Sequence, residues 1–92
     1  MLFMVIEHYV SGAAPVYARF RERGRQAPEG LTYVDSWVEA GLGRCFQLME
    51  CDDLALLQEW VANWEDIVRF EVVPVTPSAV AARAVHESPT SR

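Results

Sequence analysis

Six side chains have the chemistry of a small-molecule site: Glu7, Tyr33, Asp35, Trp37, Gln47 and Glu71. A carboxyl group held in a water-poor pocket has its pKa raised by desolvation, and it then works as an acid or a base near neutral pH. Glu7, Asp35 and Glu71 are the candidates for that role. Gln47 supplies both a hydrogen-bond donor and an acceptor, and Tyr33 and Trp37 supply flat stacking surface. Apolar walls with a few convergent polar groups are the usual make-up of a ligand pocket. The competing reading is plain ion pairing of each carboxylate with Arg44 or Arg69 across a sheet or a subunit seam, and for any one residue it is the favoured one. Because this set holds carboxylates and no arginine, it favours a neutral or cationic ligand.

Other chemistry is poorly supplied. The two histidines, His8 and His86, lie far apart in the chain, and neither sits in a metal-ligand spacing. No metal and no cofactor is expected, and nothing marks an axial haem ligand. Cys45 and Cys51 fall in one strand, about 20 Å apart at roughly 3.3 Å per residue, so they cannot bridge within the chain and read as free thiols. The net charge is −5 and every basic residue is arginine. An acidic chain whose strands do not interleave aromatic with basic residues is a poor nucleic-acid binder. Arg19, Arg21, Arg23 and Arg25 cluster near the end of a helix, where cations favour the helix dipole, and they read as a solvated face. The apolar opening is too short to span a membrane and is interrupted by Glu7. No membrane partner and a cytoplasmic location are expected.

Elements of a definite kind must position the six residues. Residues 2–9 alternate as a strand that is apolar on both faces, the pattern of a central strand. Pro15 suits the first turn of a helix that carries Val16, Tyr17 and Phe20 and stops at Gly24. Residues 31–40 and 44–51 form a hairpin across Gly41-Leu42-Gly43, where the glycines are expected to take positive φ. Asp52 or Asp53 caps a second helix whose stripe is Leu54, Leu57, Trp60, Val61 and Trp64. Residues 67–75 form a last strand, where Pro74 marks either an edge strand or the strand's end. Residues 1–76 make one domain. Residues 77–92 form a tail, with a short helix at 78–86 and disorder after it.

Strand, helix, strand, strand, helix, strand is the order of two split βαβ halves. The fold class is therefore α+β: ferredoxin-like, a four-stranded antiparallel sheet of order 4-1-3-2 with two helices on one face. Placing the plainer apolar faces under the helices gives a core of Leu2, Met4, Ile6, Val34, Val38, Phe46, Leu48, Val68, Phe70 and Val72. The other face then holds Phe3, Val5, Met49 and Val73 together with the six candidate residues. That face is too apolar to be left in water, and a two-fold homodimer covers it economically.

The stretches MLFMVIEHY, GLTYVDSWVEAGLGRCFQLMECDD and LLQEWVANWEDIVRFEVVPV resemble a family of small, uncharacterised bacterial proteins that carry a domain of unknown function. The similarity covers about residues 1–76. That family is similar to the dimeric α/β-barrel group, whose ferredoxin-like subunits pack sheet to sheet around a cavity. The resemblance implies a dimer and a cavity; it implies no reaction, because shared fold is only an analogy for function. Two functions fit. One is a homodimer that binds a small organic molecule between its sheets, as an enzyme or as a binder. The other is a non-catalytic dimeric protein-interaction module whose seam is filled by side chains.

Overall fold

The computed structural model describes residues 1–86. Seven elements follow in order: β1 Leu2–Tyr9, α1 Ala13–Arg23, β2 Thr32–Val38, β3 Arg44–Glu50, α2 Leu54–Ala62, β4 Val68–Val75 and α3 Ser78–His86. The strands form one sheet of order β2-β3-β1-β4, in which every pairing is antiparallel. This is the expected α+β ferredoxin-like arrangement. The expectation of disorder after the third helix concerns residues 87–92, which lie outside the described residues.

Local chemistry accounts for the element ends. Asp53 caps α2 by accepting a 2.9 Å hydrogen bond from the Ala55 amide. Gly24 closes α1 at φ 70°, a conformation that costs a residue with a side chain, and its amide donates to the Phe20 carbonyl at 2.8 Å. The hairpin turn departs from expectation. Leu42, at φ 63°, takes the left-handed conformation, while Gly41 and Gly43 have ordinary φ. The Leu42 amide donates to the Glu39 carbonyl at 2.9 Å and closes the turn one residue before the second glycine. Pro74 sits in β4, an edge strand, where its missing N–H is tolerated.

On β1 and β3 the faces are the reverse of those expected, whereas Val68 and Phe70 of β4 face the core as expected. The core gathers Phe3 and Val5 from β1, Met49 from β3 and Val68 from β4 against Val16 of α1 and Leu57 and Trp60 of α2. Leu2, Met4, Ile6, Phe46 and Leu48 lie on the opposite face and are only half-buried. The physical reason is that the mixed face satisfies its own polar groups. Glu7 and Gln47, 8% and 5% exposed, hydrogen-bond to each other under the helices, and a buried polar pair is tolerated when it is so joined. Apolar content alone therefore did not choose the inner face. A second correction comes from β2. Its register shifts between Tyr33 and Asp35, so two residues expected on one face part company.

Candidate functional site

The six candidate residues divide between the two faces. Glu7, Gln47 and Tyr33 belong to the helix-covered side, since Glu7 pairs with Cys45 and Phe70, Val5 with Gln47, and Tyr33 with the fully buried Met49. Asp35 and Trp37 oppose Leu48 and Phe46, and Glu71 opposes Ile6, all on the uncovered side. A single site holding all six is thus excluded by register.

On the covered side a partly open cleft of about 210 Å³ lies between α1 and the sheet. Glu7, Gln47 and Arg25 form its polar end, while Val16, Tyr17, Phe20, Val38 and Trp64 supply apolar and aromatic wall. The polar groups make a chain. Arg25 Nε donates to Gln47 Oε1 at 2.6 Å, and Gln47 Nε2 donates to Glu7 Oε2 at 2.8 Å. The use of each amide end by a different partner fixes the Gln47 side chain. Among the described residues, the hydrogen bonds of this chain leave Glu7 Oε1 and the two terminal nitrogens of Arg25 unused.

Burial dominates the electrostatics. Desolvation raises the Glu7 carboxyl from its ordinary 4.5 to about 7, against the opposing pull of the Gln47 hydrogen bond and the Arg25 charge. A carboxyl poised there can take or give a proton at neutral pH. Burial, reinforced by the nearby Glu7 charge, pushes the Cys45 thiol up to about 11. Cys45 therefore stays a neutral thiol and not a nucleophile. Burial, Cys45 and Glu7 together push the Tyr9 hydroxyl well above its usual range, so it remains a proton-bearing phenol. Both cysteines are free, as expected.

Arg25 was missed in the sequence, where it belongs to a run of arginines that reads as solvated. Its position depends on distant residues. The indole N–H groups of Trp60 and Trp64 both donate to the Arg25 carbonyl, at 3.0 and 2.9 Å. Asn63 Nδ2 donates to the next carbonyl, that of Gln26, at 3.2 Å. Above this backbone clamp the guanidinium stacks on Tyr33 at 3.7 Å and lies 5.2 Å from the Phe20 ring. Arg19 likewise leaves the expected solvated face, forming a two-bond pair with Asp66 at 2.6 and 2.7 Å and covering Trp64. The sequence signal available for Arg25 was its place after the helix-stopping glycine, which separates it from the α1 arginines.

The uncovered side has a different character. His8 Nε2 and Glu71 Oε1 are hydrogen-bonded to each other at 2.5 Å, and Arg44 Nε donates to both oxygens of Glu39 at 3.2 Å. Asp35 accepts from the Ser36 amide at 2.8 Å, while on the covered side the Tyr33 and Ser36 hydroxyls share a 2.8 Å bond. Trp37 is exposed beside the apolar residues. Among the described residues, no three His, Cys, Asp or Glu side chains converge as metal ligands, and no helix is long and apolar enough to cross a membrane.

A ferredoxin-like α+β domain with a half-buried acid–amide–arginine chain in a cleft beneath α1 is the class of protein that this geometry defines. Residues 1–88 match the family described as Domain of unknown function (DUF3303), and the chain belongs to that family. No curated protein and no solved structure matches it.

Proposed function

We propose that the protein binds a small organic molecule in the cleft between α1 and the sheet, and that it does so as a homodimer joined through the uncovered sheet face. The observation that carries the first part is the Glu7–Gln47–Arg25 chain, which ends in unpaired polar atoms at an aromatic-walled cleft. Burying such a chain is costly unless it is satisfied or used, and its free acceptor and free donors lie where a ligand would complete it. The binding site thus belongs to each protomer, on the opposite side of the sheet from the proposed seam.

The dimer is supported by Leu2, Met4, Ile6, Phe46, Leu48 and Trp37, a contiguous apolar surface on the face away from α1 and α2. Surfaces of this kind mark interaction sites, and a second copy presents the same patch. The charged groups at its margin already pair within the chain, which favours a seam filled by side chains over a second cavity between the sheets. That feature supports the protein-interaction module as a second reading, with the dimer itself as the product of the fold. Native mass spectrometry of the purified protein tests both. A dimer that carries a co-purified small molecule is expected; a ligand-free dimer with no small-molecule binding would leave the interaction module, and a monomer would remove the seam.

A further inference from the structure

We propose that the cleft takes a small aromatic carboxylic acid, with its carboxylate on the terminal nitrogens of Arg25 and its ring against Tyr17, Phe20 and Trp64. The proposal rests on the reading of the cleft as a ligand site and names what that site selects. Four observations lead to it.

The first is the state of Arg25. Its Nε is committed to Gln47 at 2.6 Å, its backbone carbonyl is held by two indoles, and its plane is stacked on Tyr33 at 3.7 Å. None of these contacts uses the terminal nitrogens. The result is a guanidinium fixed in place with its outer donors unspent, the arrangement that pairs a carboxylate through two parallel hydrogen bonds.

The second is charge. The sequence pointed to a neutral or cationic ligand because the six candidates held carboxylates and no arginine. The fold moves Asp35 and Glu71 to the other face and brings Arg25 in. Among the described residues Glu7 is then the one carboxyl group lining the cleft, and its burial disfavours the ionised form. A cationic ligand would meet Arg25 at close range, whereas an anionic one neutralises it.

The third is size. An engineered apolar cavity of about 150 Å³ binds benzene. A cleft of about 210 Å³ therefore has room for one ring and a short acidic substituent. The fourth is the wall. Tyr17 and Phe20, at 39% and 43% exposure, are partly exposed apolar surface of α1 at the cleft, which Trp64 also lines. A flat aromatic ligand would bury that surface by stacking. The unpaired Glu7 Oε1 adds a preference: a ring hydroxyl or other donor on the ligand would complete the chain.

The test is an NMR titration of the full chain, following the indole N–H resonance of Trp64, assigned with Trp64→Phe. The probes are benzoate, 4-hydroxybenzoate, benzamide and benzylamine. The two carboxylates should bind at least 10-fold more tightly than benzamide, and benzylamine should bind more weakly still. Arg25→Lys, which keeps a charge but loses the planar fork, should cut carboxylate affinity at least 10-fold and leave benzamide binding within about 3-fold. Should that variant not fold, the wild-type probe series decides alone. Benzamide or benzylamine binding as tightly as benzoate overturns the ligand class and leaves the cleft as a site. Absence of any shift for all four probes at millimolar concentration overturns the class and the cleft reading together.

Discussion

The two faces of this sheet are nearly equal in apolar content and opposite in fate. On the covered face, Phe3, Val5, Met49 and Val68 pack with α1 and α2, and a carboxyl, an amide and a guanidinium are buried among them. On the uncovered face, Leu2, Met4, Ile6, Phe46 and Leu48 stand half-exposed, and the polar groups pair at the margin. The comparison teaches that hydrophobic count does not choose the core. The helices bring their own partners: Trp60, at 1% exposure, reaches the Arg25 carbonyl, and the loop before β2 delivers Arg25 to Gln47. A face whose polar groups can be completed by the elements above it makes a good interior. A face that is simply apolar is free to serve as a surface for another molecule.

The largest expected effect distinguishes the faces through their aromatic residues. Trp60→Ala should cost about 3–5 kcal/mol, because it empties a fully buried site and removes a donor from the Arg25 carbonyl. The same truncation at Phe46, on the uncovered face, should cost the folded protomer less than half as much. Urea titrations of the two variants, performed where the protein is monomeric, measure the difference; equal losses would mean that the uncovered face is structural in the protomer.

A smaller effect depends on pH. The Glu7 carboxyl has a folded pKa of about 7 and an ordinary value of 4.5, so the folded state holds this proton more tightly than the unfolded chain. Its contribution is fully present below about pH 4.5 and is lost as pH rises through about 7, where the buried group must ionise. At about 1.4 kcal/mol per pKa unit the loss approaches about 3 kcal/mol. Glu7→Gln should abolish this decline and be the more stable protein at pH 8. Denaturation midpoints taken from pH 4 to pH 9 check the sign: a wild type that gains stability over that range relative to the variant contradicts the buried-acid reading.

Next comes the amide that joins the chain. Gln47→Leu keeps the volume but leaves the Arg25 Nε–H and a Glu7 oxygen without partners. A loss of about 1–3 kcal/mol is expected, the cost of stranded buried polar groups. Thermal unfolding at pH 5 and pH 8 measures it, and the loss should be larger at pH 8, where the carboxylate is charged. A neutral outcome at both values would show that the chain is not structurally coupled.

The smallest effect on the protomer tests the uncovered face. Leu48→Glu should change protomer stability by no more than about 1 kcal/mol, in keeping with a half-exposed position on the uncovered face. The same change places two like charges in the proposed seam. Sedimentation at micromolar concentration should give a monomer, against a dimer for the wild type, and ligand titration of the cleft should be unaffected. A variant that remains dimeric locates the subunit contact elsewhere.

The order of the elements, the stop of the first helix and the start of the second were legible because they are local. Period-two alternation, Gly24, Asp53 and Pro74 each act within a few residues of themselves. Of the expected stripe Leu54, Leu57, Trp60, Val61 and Trp64, the residues Leu57, Trp60 and Trp64 are buried, while Leu54 at the helix start is half exposed. The sequence by itself thus determined a ferredoxin-like topology with a tryptophan-rich helix packed on its sheet. Only the tertiary structure decided which face that helix covers. Alternation defines two faces but not which one is inner, and the Tyr33/Asp35 register shift breaks even that alternation in β2. The site depended on the same decision. Glu7, Gln47 and Arg25 are 22 to 40 residues apart along their hydrogen-bonded chain, and no local pattern joins them. The indoles of Trp60 in α2 and of Trp64 just beyond its end hold one backbone carbonyl and so bring an arginine to a buried acid, and such long-range hydrogen bonds exist only once the chain has folded.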